Sequence, residues 1–207
     1  MCIILGLSEG IAHMKGKPNY DQLFVIAERQ AGYFKTSQAR EVGYSWERLS
    51  DLSKRGQFRR VARGIYRLAH FPGSPYEDLF IAWLRVGPKA VISHESALAL
   101  YELSDLIPNE VHVIIPRTGS RRRMGLRLHT NKLQDDEVTT RQGLPVTTVA
   151  RTIRDVITAG LSQEIVEQAI AESLQEGQTT QEKLRRQGNR QGGRSAEIIE
   201  QALEKSI

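Results

Sequence analysis

The hydrophobic positions near the start of the chain recur with the period of an α-helix. Leu23, Ile26 and Ala27 lie on one face of the segment 20–31. Gly32 follows, and glycine commonly ends helices because it adopts a positive φ without a steric penalty. The pattern therefore predicts a first helix that ends near Gly32, followed by a short extended stretch.

Two further helices are expected, separated by a glycine turn. The second is short and begins where Thr36 or Ser37 offers its hydroxyl to an unpaired backbone N–H. Gly43 makes the turn, and Ser45 is the expected N-cap of a third helix over residues 46–55. Two helices joined by a tight turn are typical of helix-turn-helix proteins.

Two β-prone runs follow the third helix. Residues 58–61 and 65–68 flank a break at Arg63 and Gly64, and such runs around a glycine predict a hairpin. The order helix, helix, turn, helix, basic hairpin indicates a winged helix-turn-helix. The predicted fold class is α+β: an N-terminal winged helix-turn-helix followed by an α+β C-terminal domain that ends in helices.

The rest of the chain mixes short strands with helices. Residues 72–75, Pro-Gly-Ser-Pro, form a linker, which divides the chain into an N-terminal tail (1–18), a winged helix-turn-helix (19–70) and an α+β domain (71–207). Residues 188–193 are expected to be flexible. Strands are expected at 90–92, 110–115, 126–130 and around 143, the second pairing with the third, and helices at 76–86, 95–103, 148–157, 162–175, 179–187 and 195–204.

Composition excludes several classes of protein. The chain has 207 residues, 40% hydrophobic and 26% charged, which is ordinary for a globular protein. Its one cysteine, Cys2, rules out a disulfide framework and fits a reducing compartment. The apolar start, residues 1–7, is too short to span a bilayer and lacks the features of a signal peptide. We expect a cytoplasmic protein with no membrane association, in which residues 1–13 are a disordered tail or an over-extended start.

The positive charge is concentrated in one part of the chain. Residues 20–68 contain ten basic and five acidic residues, a surplus equal to the net charge of +5 of the whole chain. Within them, residues 53–68 carry six basic residues and no acidic one. A second acid-free basic run covers residues 117–132. Clustering of this kind is typical of proteins that bind polyanions, although charge alone also fits a solvated basic face.

The predicted fold and the charge together point to DNA. The major groove is about 12 Å wide and admits one helix, and hairpin arginines can lie along the phosphates or in the minor groove. A protein-interaction module is the alternative for a small winged helix. The expected DNA contacts are Thr36, Ser37, Gln38, Arg40, Ser45, Trp46, Arg48, Lys54, Arg55, Arg59, Arg60 and Arg63, and Arg121, Arg122 and Arg123 are a candidate second basic patch.

No catalytic constellation is evident, and we expect no enzyme, no cofactor and no metal site. Asp105, Glu110 and His112 resemble the carboxylate pattern of magnesium-dependent nucleases, but a histidine stands where that pattern needs a lysine. This trio is the basis of an alternative hypothesis, a nuclease delivered to DNA by its winged helix. Arg151 and Asp155 are four positions apart on a predicted helix and are expected to form a structural ion pair.

Five sequence motifs resemble the AbiEi-type antitoxins, which are transcriptional repressors of bacterial type IV toxin–antitoxin systems. Three lie in the predicted winged helix: GYFKTSQA at 32–39, GYS at 43–45 and RGQFRRVARGIYR at 55–67. Two lie in the second predicted domain: SHESAL at 93–98 and LPVTTVARTIRD at 144–155. Together the resemblance spans residues 20–160.

The resemblance implies a protein with two tasks. The winged helix would bind double-stranded DNA at inverted repeats in its own promoter, through the helix 45–55 and the wing 59–67, and would repress its operon. The C-terminal domain would counter a nucleotidyltransferase-like toxin without forming a stable complex with it. A winged-helix regulator with no toxin partner is the alternative. The motifs identify neither the operator nor the residues that carry antitoxin activity, and the oligomeric state stays open.

Overall fold

A computed structural model describes residues 17–116 and 124–205. These residues form helices and two β-sheets, and their buried hydrophobic side chains form two clusters. The α+β class predicted from sequence is confirmed. Most of the predicted tail, residues 1–16, lies outside this description. No helix in the described ranges is both long and apolar enough to cross a membrane.

The N-terminal elements form a winged helix. A three-stranded antiparallel sheet with the order β1-β3-β2 packs against three helices, and the β2–β3 hairpin is the wing. The elements are α1 (Tyr20–Glu28), β1 (Tyr33–Lys35), α2 (Thr36–Glu41), α3 (Trp46–Lys54), β2 (Phe58–Ala62) and β3 (Ile65–Leu68).

Aromatic side chains from all three strands hold this first core together. The Phe34 ring meets the edge of Phe58 at a centroid distance of 5.1 Å and stacks on Tyr66 at 5.9 Å. Leu23 of α1 and Leu49 of α3 are fully buried in the same cluster, as the helical periodicity predicts. Ser45 caps α3 as expected, since its hydroxyl accepts the backbone N–H of Arg48 at 3.2 Å.

The start of α2 differs from the prediction. Lys35 rather than Thr36 or Ser37 is the N-cap, and the Gln38 side chain accepts the Lys35 backbone N–H at 2.8 Å. Thr36 is buried instead, and its hydroxyl donates to the Gly64 carbonyl at 3.2 Å. The Thr36 hydroxyl, which the sequence pattern assigned to the helix cap, is therefore hydrogen-bonded to the hairpin turn instead.

The second sheet is mixed, with the order β6-β5-β4-β8-β7. The β5 and β6 strands pair as expected, in parallel, with Ile114 opposite His129. The remaining helices flank this sheet. The elements are α4 (Glu77–Val86), β4 (Val91–Ile92), α5 (His94–Tyr101), β5 (Val111–Ile114), β6 (Leu126–His129), a 3₁₀ turn (Asp135–Glu137), β7 (Val138–Arg141), β8 (Leu144–Thr147), α6 (Val149–Thr158), α7 (Gln163–Gln175), α8 (Gln181–Gln191) and α9 (Arg194–Lys205).

Helix α4 joins the two sheets through apolar contacts. Tyr33 of β1 stacks on Phe80 of α4 with ring centroids 5.6 Å apart. Tyr33 and Ile65 lie in the same buried cluster as Phe80 and Leu84, so one face of the winged-helix sheet packs into the second core. The orientation of the winged helix is therefore fixed by burial rather than by the linker alone.

The predicted flexible segment 188–193 is wrong over its first part. Helix α8 continues to Gln191, and Gly188 lies inside it, facing α9. A Cβ at Gly188 would come within 3.2 Å of Ala196 Cα and Ile199 Cδ1. Glycine is present here because the two helices approach closely, and not because the chain turns; the turn follows at Gly192 and Gly193.

A buried ion network connects α6, α8 and the 3₁₀ turn. The Arg151 guanidinium is 1% exposed; its Nε donates to both Asp155 carboxylate oxygens at 2.8 and 2.9 Å, and its Nη1 binds Glu137 and the Lys132 carbonyl. Arg154 approaches Glu137 at 3.3 Å, as does Arg190 of α8. The predicted pair of Arg151 with Asp155 is confirmed as part of this larger network.

Replacing Arg151 by methionine is expected to destabilise the protein by about 3–5 kcal/mol, because the substitution leaves buried carboxylates without their main partner. Equilibrium unfolding in urea measures the change. The matched control is Arg185→Met, which breaks the Arg185–Glu200 pair, whose side chains are 44% and 47% exposed, and should cost under about 1 kcal/mol. Equal losses in the two variants would contradict the role given to the network.

Candidate nucleic-acid interface

A cationic groove of about 800 Å³ lies between the winged helix and α4. Its walls come from the β1–α2 junction, the start of α3, the wing turn and the end of α4. Among the described residues that line it, four are basic and none is acidic. The lining residues are Lys35, Thr36, Ser37, Arg40, Trp46, Arg63, Gly64, Ile65, Leu84 and Arg85.

Hydrogen bonds between the wing turn and α2 set the shape of this cationic groove. The Gly64 carbonyl accepts the Thr36 backbone N–H at 2.9 Å and the Thr36 hydroxyl at 3.2 Å. Gly64 has a φ of +73°, which a side chain would strain, so the tight turn requires glycine. This clamp holds Arg63 beside the exposed Ser37 and Arg40 of α2.

Trp46 is the exposed large hydrophobic side chain of α3. It is 56% exposed at the first turn of the helix and lines the cationic groove. A partner that covers the exposed indole would remove its apolar surface from water, which favours binding. Rigid aromatic side chains next to arginines are common at recognition surfaces. Trp46 is therefore not part of the hydrophobic core.

The outer surface of α3 carries the remaining predicted helix contacts. Arg48, Lys54 and Arg55 are exposed, but they lie outside the cationic groove. Asp51 is beside them: it pairs with Arg55 at 3.1 Å and with Arg48 at 3.9 Å. Asp51 therefore reduces the positive charge of this surface.

The wing arginines do not form one continuous stripe. Arg59 pairs across the sheet with Arg67, and Arg60 pairs with Tyr66, so the two neighbours stand on opposite faces of β2. Arg59 and Arg60 are both exposed, whereas Arg67 is buried, against expectation. The Arg67 guanidinium lies over the Tyr33 ring at 5.7 Å and donates to the Phe71 carbonyl, so it is a structural residue.

Two further predicted contacts are occupied inside the protein. The one proton of the Thr36 hydroxyl goes to Gly64, which leaves no donor for a phosphate. The Gln38 side chain is hydrogen-bonded to Gln30 and to the backbone of Lys35. These bonds hold both side chains within the fold, and contact of either residue with DNA stays a prediction. The second basic patch, Arg121, Arg122 and Arg123, lies outside the described residues.

Lys35 and Arg85 were missed from sequence. Lys35 lies in the short extended stretch predicted after the first helix, and no local pattern marks it as a contact residue. Arg85 belongs to α4, after the linker, and only the packing of α4 on the winged-helix sheet brings it to the cationic groove. No local pattern could have identified it, because its position depends on contacts between distant parts of the chain.

A group of three histidines lies apart from the cationic groove. His94 begins α5, while His112 and His129 lie in the adjacent strands β5 and β6. Among the described residues, this is the only group of three or more His, Cys, Asp or Glu side chains whose ligand atoms are close enough to hold one metal ion. Sequence reasoning missed the group because its members are far apart along the chain. Asp105 and Glu110, the carboxylates of the nuclease hypothesis, are exposed and do not belong to it.

The histidine rings are shielded from water and uncharged near neutral pH. Burial, together with the neighbouring His129 and His112, lowers the pKa of His94 to about 2. Burial and the nearby Arg127 lower the pKa of His112 to about 4, and burial with His112 beside it lowers the pKa of His129 to about 4. All three imidazoles therefore keep a lone pair available.

Comparison with known proteins gives similar solved structures and one family. The crystal structure of the RV2827C protein from Mycobacterium tuberculosis has a similar fold, with a TM-score of 0.56 and 12% identity, over 90% of this chain and 76% of that one. No curated protein sequence matches. Residues 21–69, which cover the winged helix, match the family model described as "Transcriptional regulator, AbiEi antitoxin", and this match confirms the AbiEi resemblance for that segment.

Proposed function

We propose that the protein is a DNA-binding autorepressor and antitoxin that counters a nucleotidyltransferase-like toxin. The observation that carries the DNA-binding part is the cationic groove, in which Lys35, Arg40 and Arg63 converge from separate elements, with Arg85 of α4 in the same lining. Convergent positive charge in a concave surface raises the local potential toward a polyanion. The family match of residues 21–69 supports a role as regulator or antitoxin.

Helix α3 is the proposed reading element. It begins at the capped Ser45, and the exposed Arg48 follows on its first turn. An arginine can donate two hydrogen bonds to the O6 and N7 atoms of guanine, which is the commonest specific contact in the major groove. Lys54 and Arg55, at the far end of α3, would contact phosphates.

The cationic groove is the proposed phosphate-binding surface. Ser37, Arg40 and Arg63 would bind the backbone beside the major groove that α3 enters, and Trp46 would pack against sugar or base. Contacts to phosphates fix the register of the protein without reading sequence. Arg59 and Arg60, on opposite faces of the wing, would follow the flanking backbone on separate sides.

Repression and antitoxin activity are the finer parts of the proposal. Inverted repeats suit a regulator that presents two copies of α3 to one operator, because operator symmetry mirrors protein symmetry. We place antitoxin activity in the region after residue 70, and we expect no stable complex with the toxin. The nuclease alternative has less support, because Asp105 and Glu110 are not in the described group of side chains close enough to hold one metal ion, although His112 is.

Removing two groove charges should weaken binding to every DNA sequence alike. For Arg40→Ala/Arg63→Ala we expect the slope of log K against log salt to become shallower by about 2, since each lost phosphate contact contributes close to one unit. Fluorescence anisotropy with a promoter duplex and a scrambled duplex of the same length measures both slopes. Arg185→Ala/Arg194→Ala on α8 and α9 makes the same charge change and should leave the slope intact. A similar slope change in both double variants would reject the groove as the interface.

Arg48→Ala should act differently, because Arg48 is assigned to base contacts. We expect the preference for promoter over scrambled DNA to fall by about 1–3 kcal/mol, while binding to scrambled DNA changes little. Competition binding at one fixed salt concentration gives the ratio. Arg60→Ala is the matched control, and it should weaken binding to both duplexes equally. An unchanged ratio in Arg48→Ala would remove this residue from the reading surface.

The antitoxin part can be separated from DNA binding. The proposal expects a neighbouring gene that encodes a nucleotidyltransferase. When the protein is co-expressed with that toxin from an unrelated promoter, the wild type and Arg40→Ala/Arg63→Ala should restore growth equally. Rescue by the double variant is expected because Arg40 and Arg63 precede the region to which we assign antitoxin activity. Failure of the wild type to restore growth would leave a winged-helix regulator without a toxin partner.

A further inference from the structure

The three histidines, His94, His112 and His129, bring ring nitrogens close together. One nitrogen from each ring lies within 4.8 Å of the others. His129 Nε2 is 3.4 Å from His112 Nδ1. The His94 and His129 rings stack face to face with centroids 3.6 Å apart, so the His94 ring must turn out of this stack before both rings can direct an in-plane lone pair at the same ion. Zinc–nitrogen bonds are about 2.0–2.1 Å long, so two nitrogens on one tetrahedral ion are separated by about 3.4 Å. The spacing of His112 and His129 already fits such an ion.

The second nitrogen of two of these rings already faces a partner. His94 Nδ1 is 3.0 Å from the Ser93 hydroxyl, which leaves Nε2 for a ligand. His112 Nε2 faces the Glu95 carboxylate at 4.0 Å, on the opposite side of the ring from His129. Metal-binding histidines usually direct their other nitrogen to a carboxylate or another polar group, which orients the ring.

The backbone around the three histidines is held in place by hydrogen bonds. The Ser96 hydroxyl accepts the His112 backbone N–H at 2.8 Å, and the Ser93 backbone N–H donates to the His112 carbonyl at 3.1 Å. His94 has a φ of +52°, in the left-handed region that favours glycine. Such strain in a residue with a side chain costs about 1–3 kcal/mol and is concentrated at functional sites.

We propose that His94, His112 and His129 form a binding site for one divalent transition-metal ion of the zinc type. Neutral imidazoles suit zinc, copper, nickel and iron, whereas magnesium and calcium prefer oxygen ligands. Three protein ligands leave a fourth tetrahedral position for water. Glu95 is a positioning residue, which holds the ring of His112. The site is separate from the cationic groove and does not depend on the proposed DNA binding.

One neighbouring charge opposes the ion. Arg127 lies on β6, two residues before His129, and is close enough to lower the pKa of the histidines. Its side chain is exposed, so water screens the repulsion. Neutralising it should strengthen metal binding, an effect that a merely structural histidine cluster would not produce.

The test is a zinc titration of the full chain, produced without a histidine tag and freed of metal by a chelator. Competition with a chromophoric zinc indicator should give one ion per chain. His129→Gln should weaken zinc binding more than a hundredfold, Glu95→Gln by about tenfold, and Arg127→Gln should tighten it, since outer residues commonly change affinity by 10–100-fold. Bound zinc should also raise the melting temperature of the wild type but not of His129→Gln.

The control removes the other candidate ligands. The chain has five histidines and one cysteine, so Cys2→Ser/His13→Gln/His70→Gln keeps only the proposed site and should bind zinc like the wild type. Lack of binding by the wild type, equal binding by His129→Gln, or loss of binding in this control would overturn the proposal. If His129→Gln does not fold, NMR of the wild type labelled in its histidine rings gives the answer. Zinc should shift the ring signals of three of the five histidines. If zinc shifts only the signals of His13 and His70, which the control variant lacks, the proposal is overturned.

Discussion

The pairing of Arg151 with Glu137 and Asp155 is the constraint on which the second half of the structure depends. Both carboxylates are buried, and in a medium of low dielectric constant neither can stay ionised without its cation. The 3₁₀ turn before β7, helix α6 and helix α8 must therefore assemble together. Burial raises the pKa of Asp155 in spite of Arg151, which indicates how strongly the site is shielded from water.

Apolar packing connects the second sheet to the winged helix and fixes their relative position. Phe80 and Leu84 of α4 belong to the second core, and the same core takes in Tyr33 and Ile65 from the winged-helix sheet. Arg85 then follows Leu84 into the wall of the cationic groove. The charged surface proposed to bind DNA thus rests on the hydrophobic core beside it, and its geometry is set by residues that never approach the nucleic acid.

Local patterns in the sequence predict most of the elements but not the groups they bring together. The cap at Ser45, the wing and the Arg151–Asp155 pair follow from spacing alone, because each involves neighbours in the chain. The burial of Thr36 and Arg67 depends on contacts across the first sheet. Gly188 would usually indicate a turn, but here it lies inside α8, where the close approach of α9 leaves no room for a side chain. The three histidines come together only because β5 and β6 pair in parallel, and no local sequence pattern predicts that register.

The stacking of Tyr33 on Phe80 has a consequence for the evolution and engineering of the protein. A fragment cut at the Pro-Gly-Ser-Pro linker would expose Tyr33 and Ile65 to water and would lose the wall formed by Leu84 and Arg85. The winged helix is therefore not an interchangeable cassette. To graft this winged helix onto another effector would require carrying α4 (Glu77–Val86) along, because Phe80 stacks on Tyr33.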